Sequence, residues 1–191
     1  MRIDPTKDAL IVVDLQPDFM PGGPLAVGEG DRIAAPIGRL AARFSTVVAT
    51  QDWHPEGHVS FAQQGGPWPI HCLAGSRGAA VHQALPDTLV TSYVRKGTRK
   101  DVDSYSAFAD DAGRATGLAG YLKDRGVARL FVVGLARDFC VRATAIDGAA
   151  AGFEVLVVDD LTRAVDPASR ERVDADFASR KVGLVTSAEL G

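Results

Sequence analysis

Five residues able to do chemistry fall where apolar runs end. Asp14 follows Ala9–Val13, Asp52 follows Thr46–Thr50, Lys96 follows Leu89–Val94, Cys140 lies past Leu130–Val133, and Asp160 follows Glu154–Val158. A thiol becomes a nucleophile when a base and a cation bring it to the thiolate. Cys140 falls where a strand gives way to a helix-compatible segment, Val141 to Ala151, closed by Gly152. Free N–H groups and the positive helix end at such a corner favour an anion, so the thiol is expected to lose its proton readily. Asp14 in a crevice of low dielectric would have a raised pKa and shuttle protons. Lys96 would steady whichever partner holds the negative charge. The plainer alternative makes Cys140 a small packed apolar residue, Asp14 a turn cap and Lys96 a surface charge.

A second constellation is Asp52-Trp53-His54 with His71 downstream. In extended chain, residues two apart project to one side, and a second imidazole completes a facial set. Two His, one carboxylate and water suit zinc, manganese or iron(II) in an open, catalytic position. His58 and Ser60 lie near enough in sequence to be outer or alternative ligands. The competing reading is a loop pinned by hydrogen-bonded histidines. Phe19 and Trp68, in two irregular loops, would stack on a flat ring or plug the loops from beneath.

Positioning these groups takes an alternating chain. A helix capped by Asp31 runs through Ile33, Ile37, Leu40 and Phe44, a second spans 117–125 before Gly126, and a third, more polar one spans 168–180. Val182–Val185 closes as a sixth strand. Such alternation predicts one parallel sheet covered on both faces, with ligands outside the carboxyl ends of its strands. The long 53–78 connection, rich in Gly, Pro and His, is expected to be ordered, because it holds both tryptophans and three of the four histidines. The 191 residues are expected to make one domain, and a net charge of −3 gives no reason to expect nucleic acid or anionic membrane as partner. Met1–Pro5 lacks the apolar core of a secretory leader, and no run is long enough to span a bilayer. Two cysteines without paired spacing point to free thiols in a reducing cytosol.

The motifs Asp14-Leu15-Gln16-Pro17-Asp18-Phe19, Gln51-Asp52-Trp53-His54-Pro55, Trp68-Pro69-Ile70-His71-Cys72, Lys96-Gly97 and Gly134-Leu135-Ala136-x-Asp138-Phe139-Cys140-Val141 resemble, in order, those of the nicotinamidases (pyrazinamidases). These are isochorismatase-like cysteine hydrolases. The resemblance implies a three-layer α/β/α fold on a six-stranded parallel sheet, and hydrolysis of nicotinamide to nicotinate and ammonia in NAD salvage. It makes Cys140 the nucleophile, Asp14 the general base and acid, and Lys96 the third member of the triad. Asp52, His54 and His71 become ligands of one divalent ion, zinc first, with iron or manganese accepted by the same set. Phe19 and Trp68 wall the pyridine ring, joined by Leu135 and Tyr105. A cis Leu135–Ala136 peptide turns the Ala136 N–H toward the substrate oxygen, beside that of Cys140.

Arg137 departs from the pattern, which usually has a small polar residue there. Its guanidinium has two expected destinations, solvent or an anionic group at the pocket mouth. Cys72 reads as a packed thiol rather than a second nucleophile. Members of the family range from monomers to larger assemblies, so a homo-oligomer stays open. The runner-up substrate class is an N-carbamoyl or ureido compound, for which the ring walls and metal set have no use. A non-catalytic α/β binding module is the other class of answer, and no glycine fingerprint follows the first strand to suggest a dinucleotide.

Overall fold

A computed structural model describes residues 1–191. Six strands form one all-parallel sheet: β1 (Asp8–Val13), β2 (Thr46–Asp52), β3 (Ser92–Lys96), β4 (Arg129–Leu135), β5 (Glu154–Arg163) and β6 (Gly183–Val185), in the order β3-β2-β1-β4-β5-β6. The chain builds outward from β1 on one side, then returns to its other side with β4. The order therefore reverses between β1 and β4, the place where a crevice opens in sheets of this kind. Asp14 and Cys140 follow those two strands.

Both faces are covered, so after Asp8 and Arg129 the two central strands read as unbroken apolar runs, buried along Ala9–Val13 and Leu130–Leu135. Alternate residues of β1 serve opposite cores. Leu10 and Val12 pack with Ile33, Ile37 and Leu40 of α1 (Gly30–Ala41). Ala9, Ile11 and Val13 pack with Leu122 of α2 (Leu118–Asp124), Ala145 of α3 (Arg142–Ala150) and Phe177 of α4 (Arg170–Ser179). The period of two along each strand divides the core this way.

Several boundaries differ from expectation for identifiable reasons. Helix α1 begins at Gly30 after Glu29, which is left-handed at φ 57°, so Asp31 lies inside the first turn and caps nothing. Phe44 lies beyond the helix and packs edge-on against Phe131, 5.4 Å between centroids. Strand β3 starts only at Ser92, because Asp87–Leu89 forms a 3-10 turn. Strand β5 runs on through Asp159 and Asp160 to Arg163, since its ladder with β4 resumes at Gly134 and Thr162 after a register shift. Asp160 thus leaves the crevice, and its carboxylate accepts from the backbone N–H and hydroxyl of Ser187.

The 53–78 connection is ordered as expected. Isolated bridges pair His54 with Leu73 and Phe61 with Trp68, and Phe61, His58 and Cys72 are buried. No helix is long and apolar enough to cross a membrane.

Candidate active site

The register of the sheet assembles the first constellation. Asp52 and Lys96 are paired neighbours at the ends of β2 and β3. Nζ of Lys96 reaches across to the end of β1, 2.8 Å from Asp14 Oδ2, and lies 3.2 Å from Cys140 Sγ. It also contacts Asp52 Oδ1 and the carbonyl of Ser104. Asp14 adopts φ 45°, a left-handed conformation rarely taken by a non-glycine residue and often found at functional sites. Thr50 holds it there, accepting from the Asp14 N–H at 3.0 Å and donating its hydroxyl to Oδ1 at 2.6 Å. Asp14 Oδ2 meets Lys96 as an ion pair and receives no directed hydrogen bond, which leaves it a lone pair for a proton.

One ammonium thus serves two carboxylates and a thiol, all of them buried. Burial raises the Asp14 carboxyl above the usual range, and Lys96 only partly opposes this. Burial acts on Asp52 in the same direction, but the Lys96 ammonium opposes it, and the carboxylate is held well below the usual range. Burial would strip Lys96 of its proton, yet Asp14 and Asp52 keep it charged, well above the ordinary lysine value. The Cys140 thiol is pushed well up by burial, with Lys96 opposing and the two carboxylates adding to the rise. Burial and the two carboxylates thus oppose what Lys96 offers the sulfur, and Asp14 stands close by as a proton acceptor.

Asp52 faces two ways. Its Oδ2 lies 3.6 Å from His54 Nε2 and 3.7 Å from His71 Nε2. Each imidazole places Nδ1 against a carbonyl, Gly97 O at 3.1 Å for His54 and Pro69 O at 2.8 Å for His71. A carbonyl only accepts, so Nδ1 carries the proton and Nε2 offers a lone pair. Two lone pairs and a carboxylate oxygen then converge, at distances too long for hydrogen bonds. A cation satisfies such a set, and all three ligand atoms lie within 4.8 Å of one another. Asp14, Asp52 and Cys140 form a similar triplet, but that one already encloses the Lys96 ammonium. His58 is not a ligand here: Nδ1 meets the Ser60 hydroxyl at 2.7 Å and Nε2 the Val102 carbonyl at 3.1 Å. Gly97, at φ 62°, makes room for the set, because a Cβ there would sit 2.3 Å from His54 Cε1.

Beside both groups is a narrow slot. Phe19, Leu25, Trp68, Tyr105, Phe139 and Val165 wall it, and Asp52, His71, Ala136 and Cys140 reach it. Trp68 Nε1 donates to Tyr105 Oη at 3.0 Å, and Phe139 lies edge-on to Trp68 with centroids 4.9 Å apart. The Leu135–Ala136 peptide is cis. Leu135 itself is absent from the slot; its side chain is wholly buried in the core on the α1 side. Arg137 goes neither to solvent nor to the slot mouth, for it is buried against Asp159 and Asp174. Cys72 is buried with its thiol pushed far up, first by burial.

Several residues of the site carry no sequence signal of their own. The Gln16 carboxamide accepts from the Asp52 N–H and donates to the Asp52 and Ala79 carbonyls, all at 2.9 Å. Asp18 accepts from the Cys72 N–H at 2.7 Å, fixing the His71 segment. Both belong to the Asp14–Phe19 motif, but the motif does not say which groups their side chains meet. Leu25 and Val165 are ordinary apolar loop residues that only three-dimensional placement brings to the slot.

The isochorismatase domain family matches residues 8–189. The chain belongs to the isochorismatase family. It is similar to the nicotinamidase of Acinetobacter baylyi, 45% identical over 175 residues that cover 83% of this chain and 82% of that protein. Among solved structures, PnC1 of L. infantum in complex with nicotinate superposes with a TM-score of 0.98 at 44% identity, covering 100% of this chain and 98% of the other. The pyrazinamidase of Pyrococcus horikoshii, in complex with zinc, gives 0.86 at 40% identity, covering 94% and 99%. For this isochorismatase-family site, the geometry suits transfer of a proton from sulfur to a buried carboxylate, beside two histidines whose Nε2 atoms converge on Asp52.

Proposed function

We propose that the protein is a hydrolase of the amide C–N bond that converts nicotinamide to nicotinate and ammonia in nicotinamide salvage. We read residues 1–191 as one cytoplasmic hydrolase domain. The observation that carries this reading is the single Lys96 ammonium in contact with Asp14, Cys140 and Asp52, beside an aromatic slot and a histidine pair.

The pyridine ring lies between Phe19 and Trp68, with Tyr105 and Phe139 closing the slot, so that the carboxamide carbon stands over Sγ. Asp14 takes the thiol proton through its free lone pair as sulfur attacks. A raised carboxyl pKa suits it to accept that proton and later return it. Lys96 stays charged throughout and balances the anion on either partner. The N–H groups of Ala136 and Cys140 receive the developing oxyanion. Asp14 protonates the departing nitrogen, ammonia leaves, and a thioester joins Cys140 to the nicotinoyl group. Water adds to that carbonyl with Asp14 again accepting a proton; nicotinate leaves and the proton returns to Sγ. Asp52, His54 and His71 would hold a divalent ion, zinc in first place, which supplies Lewis acidity toward the ring nitrogen.

An N-carbamoyl or ureido substrate would leave the aromatic walls and the histidine pair without a task. Ammonia release from nicotinamide, with and without a chelator, tests the proposal. Turnover that falls on chelation and returns with zinc, manganese or iron supports it. No release from nicotinamide by metal-replete protein sinks it.

A further inference from the structure

Arg137 opens the π-helical turn Arg137–Val141 that carries Cys140. It is only 4% exposed, yet it does not line the slot. Nε and Nη2 donate to Asp159 Oδ1 at 3.1 and 2.8 Å, and Nη2 also donates to Asp174 Oδ1 at 2.6 Å. Cζ stands 5.2 Å from the centre of the Phe177 ring, and Nη1 has no acceptor. Asp159 belongs to β5, Asp174 and Phe177 to α4, and Arg170 secures the far oxygen of Asp159 at 2.8 Å. One guanidinium therefore binds the turn to a strand and to a helix at once. Asp138, the next residue, makes a complementary tie. Its carboxylate accepts from the N–H groups of Val165 and Asp166 at 3.0 and 2.9 Å, and Val165 is a wall of the slot.

Burying a guanidinium is costly unless its donors are paired, and an apolar residue in its place is often no worse for stability. Its position on the nucleophile turn suggests a task other than stability. We propose that Arg137 is a positioning residue for the hydrolysis, fixing where Cys140 Sγ sits relative to Lys96 and the slot. This rests on the reading of Cys140 as the nucleophile. Arg137 touches neither substrate nor reacting atoms. Phe19 and Trp68 stand on other loops and keep the two main ring walls in place, while Phe139 shares the turn with Cys140, so loosening the turn slows attack more than it weakens binding. The other side of Arg137 opens on a cavity of ≈ 520 Å³ shared with Arg163 and Arg170, through which a small solute can reach the place of the guanidinium.

The test is nicotinamide turnover by Arg137→Met, Arg137→Lys, Arg137→Ala, Asp159→Asn and Cys140→Ala, with unfolding temperatures measured alongside. Arg137→Met is expected to lower kcat by about tenfold to a hundredfold, the scale of a 1 Å misplacement, with KM changed less than kcat. Arg137→Lys recovers part of the loss, and added guanidinium raises kcat of Arg137→Ala where ammonium does not. A folded Arg137→Met with wild-type kcat overturns the proposal, as does a loss confined to KM. Should Arg137→Met fail to fold, Asp159→Asn decides: a lowered kcat with KM changed less supports positioning, and an unchanged kcat overturns it. Cys140→Ala separates the two readings. If it turns over near wild type, the nucleophile assignment fails; if it is inactive while Arg137→Met is fully active, only the positioning role fails.

Discussion

Two charge clusters flank the turn that carries Cys140, one buried and one partly exposed, and they are built on opposite plans. On one side, Lys96 alone answers Asp14, Asp52 and the Cys140 thiol, and none of these four side chains is open to water. On the other, Arg137 and Arg170 answer Asp159 and Asp174 through directed, partly bidentate contacts, and both carboxylates remain partly exposed. Chemically alike carboxyls respond differently. In the first cluster, burial lifts Asp14 while its neighbours drag Asp52 down. In the second, burial would raise Asp159, but Arg170 and Arg137 outweigh it and lower it. A cluster short of cations can pass a proton among its members; one with matched charges holds structure. That difference is what a buried ion network reveals about its use.

The largest effect expected from breaking the first cluster is at Lys96. Lys96→Met leaves two buried carboxylates without a counter-ion, which should cost about 3–5 kcal/mol of stability and abolish turnover. Thermal unfolding and ammonia release check both. Asp14→Asn keeps the shape but removes the proton acceptor, so kcat should fall by about 10²–10⁴-fold with little change in unfolding temperature.

These residues were legible because each stands at a strand end, where the parallel topology gathers distant residues to one crevice. Fold class followed from the same alternation. Residues that act through the backbone were less visible. The Gln16 carboxamide grips the Asp52 peptide, a contact no spacing rule encodes. Leu135 read as a slot residue from its place in the cysteine motif, but its side chain takes the core face. Asp160 read as a strand end because two acidic residues interrupt the apolar run, whereas backbone pairing with β4 resumes past them. The electrostatics of Cys140 are invisible from the turn itself, because burial, Lys96 of β3 and the carboxylates at the ends of β1 and β2 set them.

Smaller effects sharpen the contrast. Gly97→Ala pushes a methyl against the His54 ring and strains a left-handed backbone. Metal affinity should drop by about 10–100-fold, as when the group that orients a ligating imidazole is disturbed, read by competition with a chromogenic chelator. The pH profile of kcat/KM distinguishes the clusters without mutation. Asp14 must be ionised to accept the thiol proton and its pKa is raised. Activity should therefore fall as pH drops through a value above the ordinary carboxylate range of about 4. An acid limb at or below that range would contradict the burial argument.

The smallest effect is expected at Asp159. Its folded pKa is lowered, so its pairing stabilises the fold fully above the unfolded carboxylate value. That contribution is lost as pH falls through the folded pKa, below about 4. Asp159→Asn should lower stability by about 1 kcal/mol at neutral pH, with the gap closing in acid, as chemical denaturation at both pH values would show.

The covalent role of Cys140 is tested most directly by ammonia release from nicotinamide by Cys140→Ala, purified with its metal and checked for folding. Release at or below the uncatalysed rate is predicted. Turnover near that of the unmodified protein would contradict a thioester route through this sulfur.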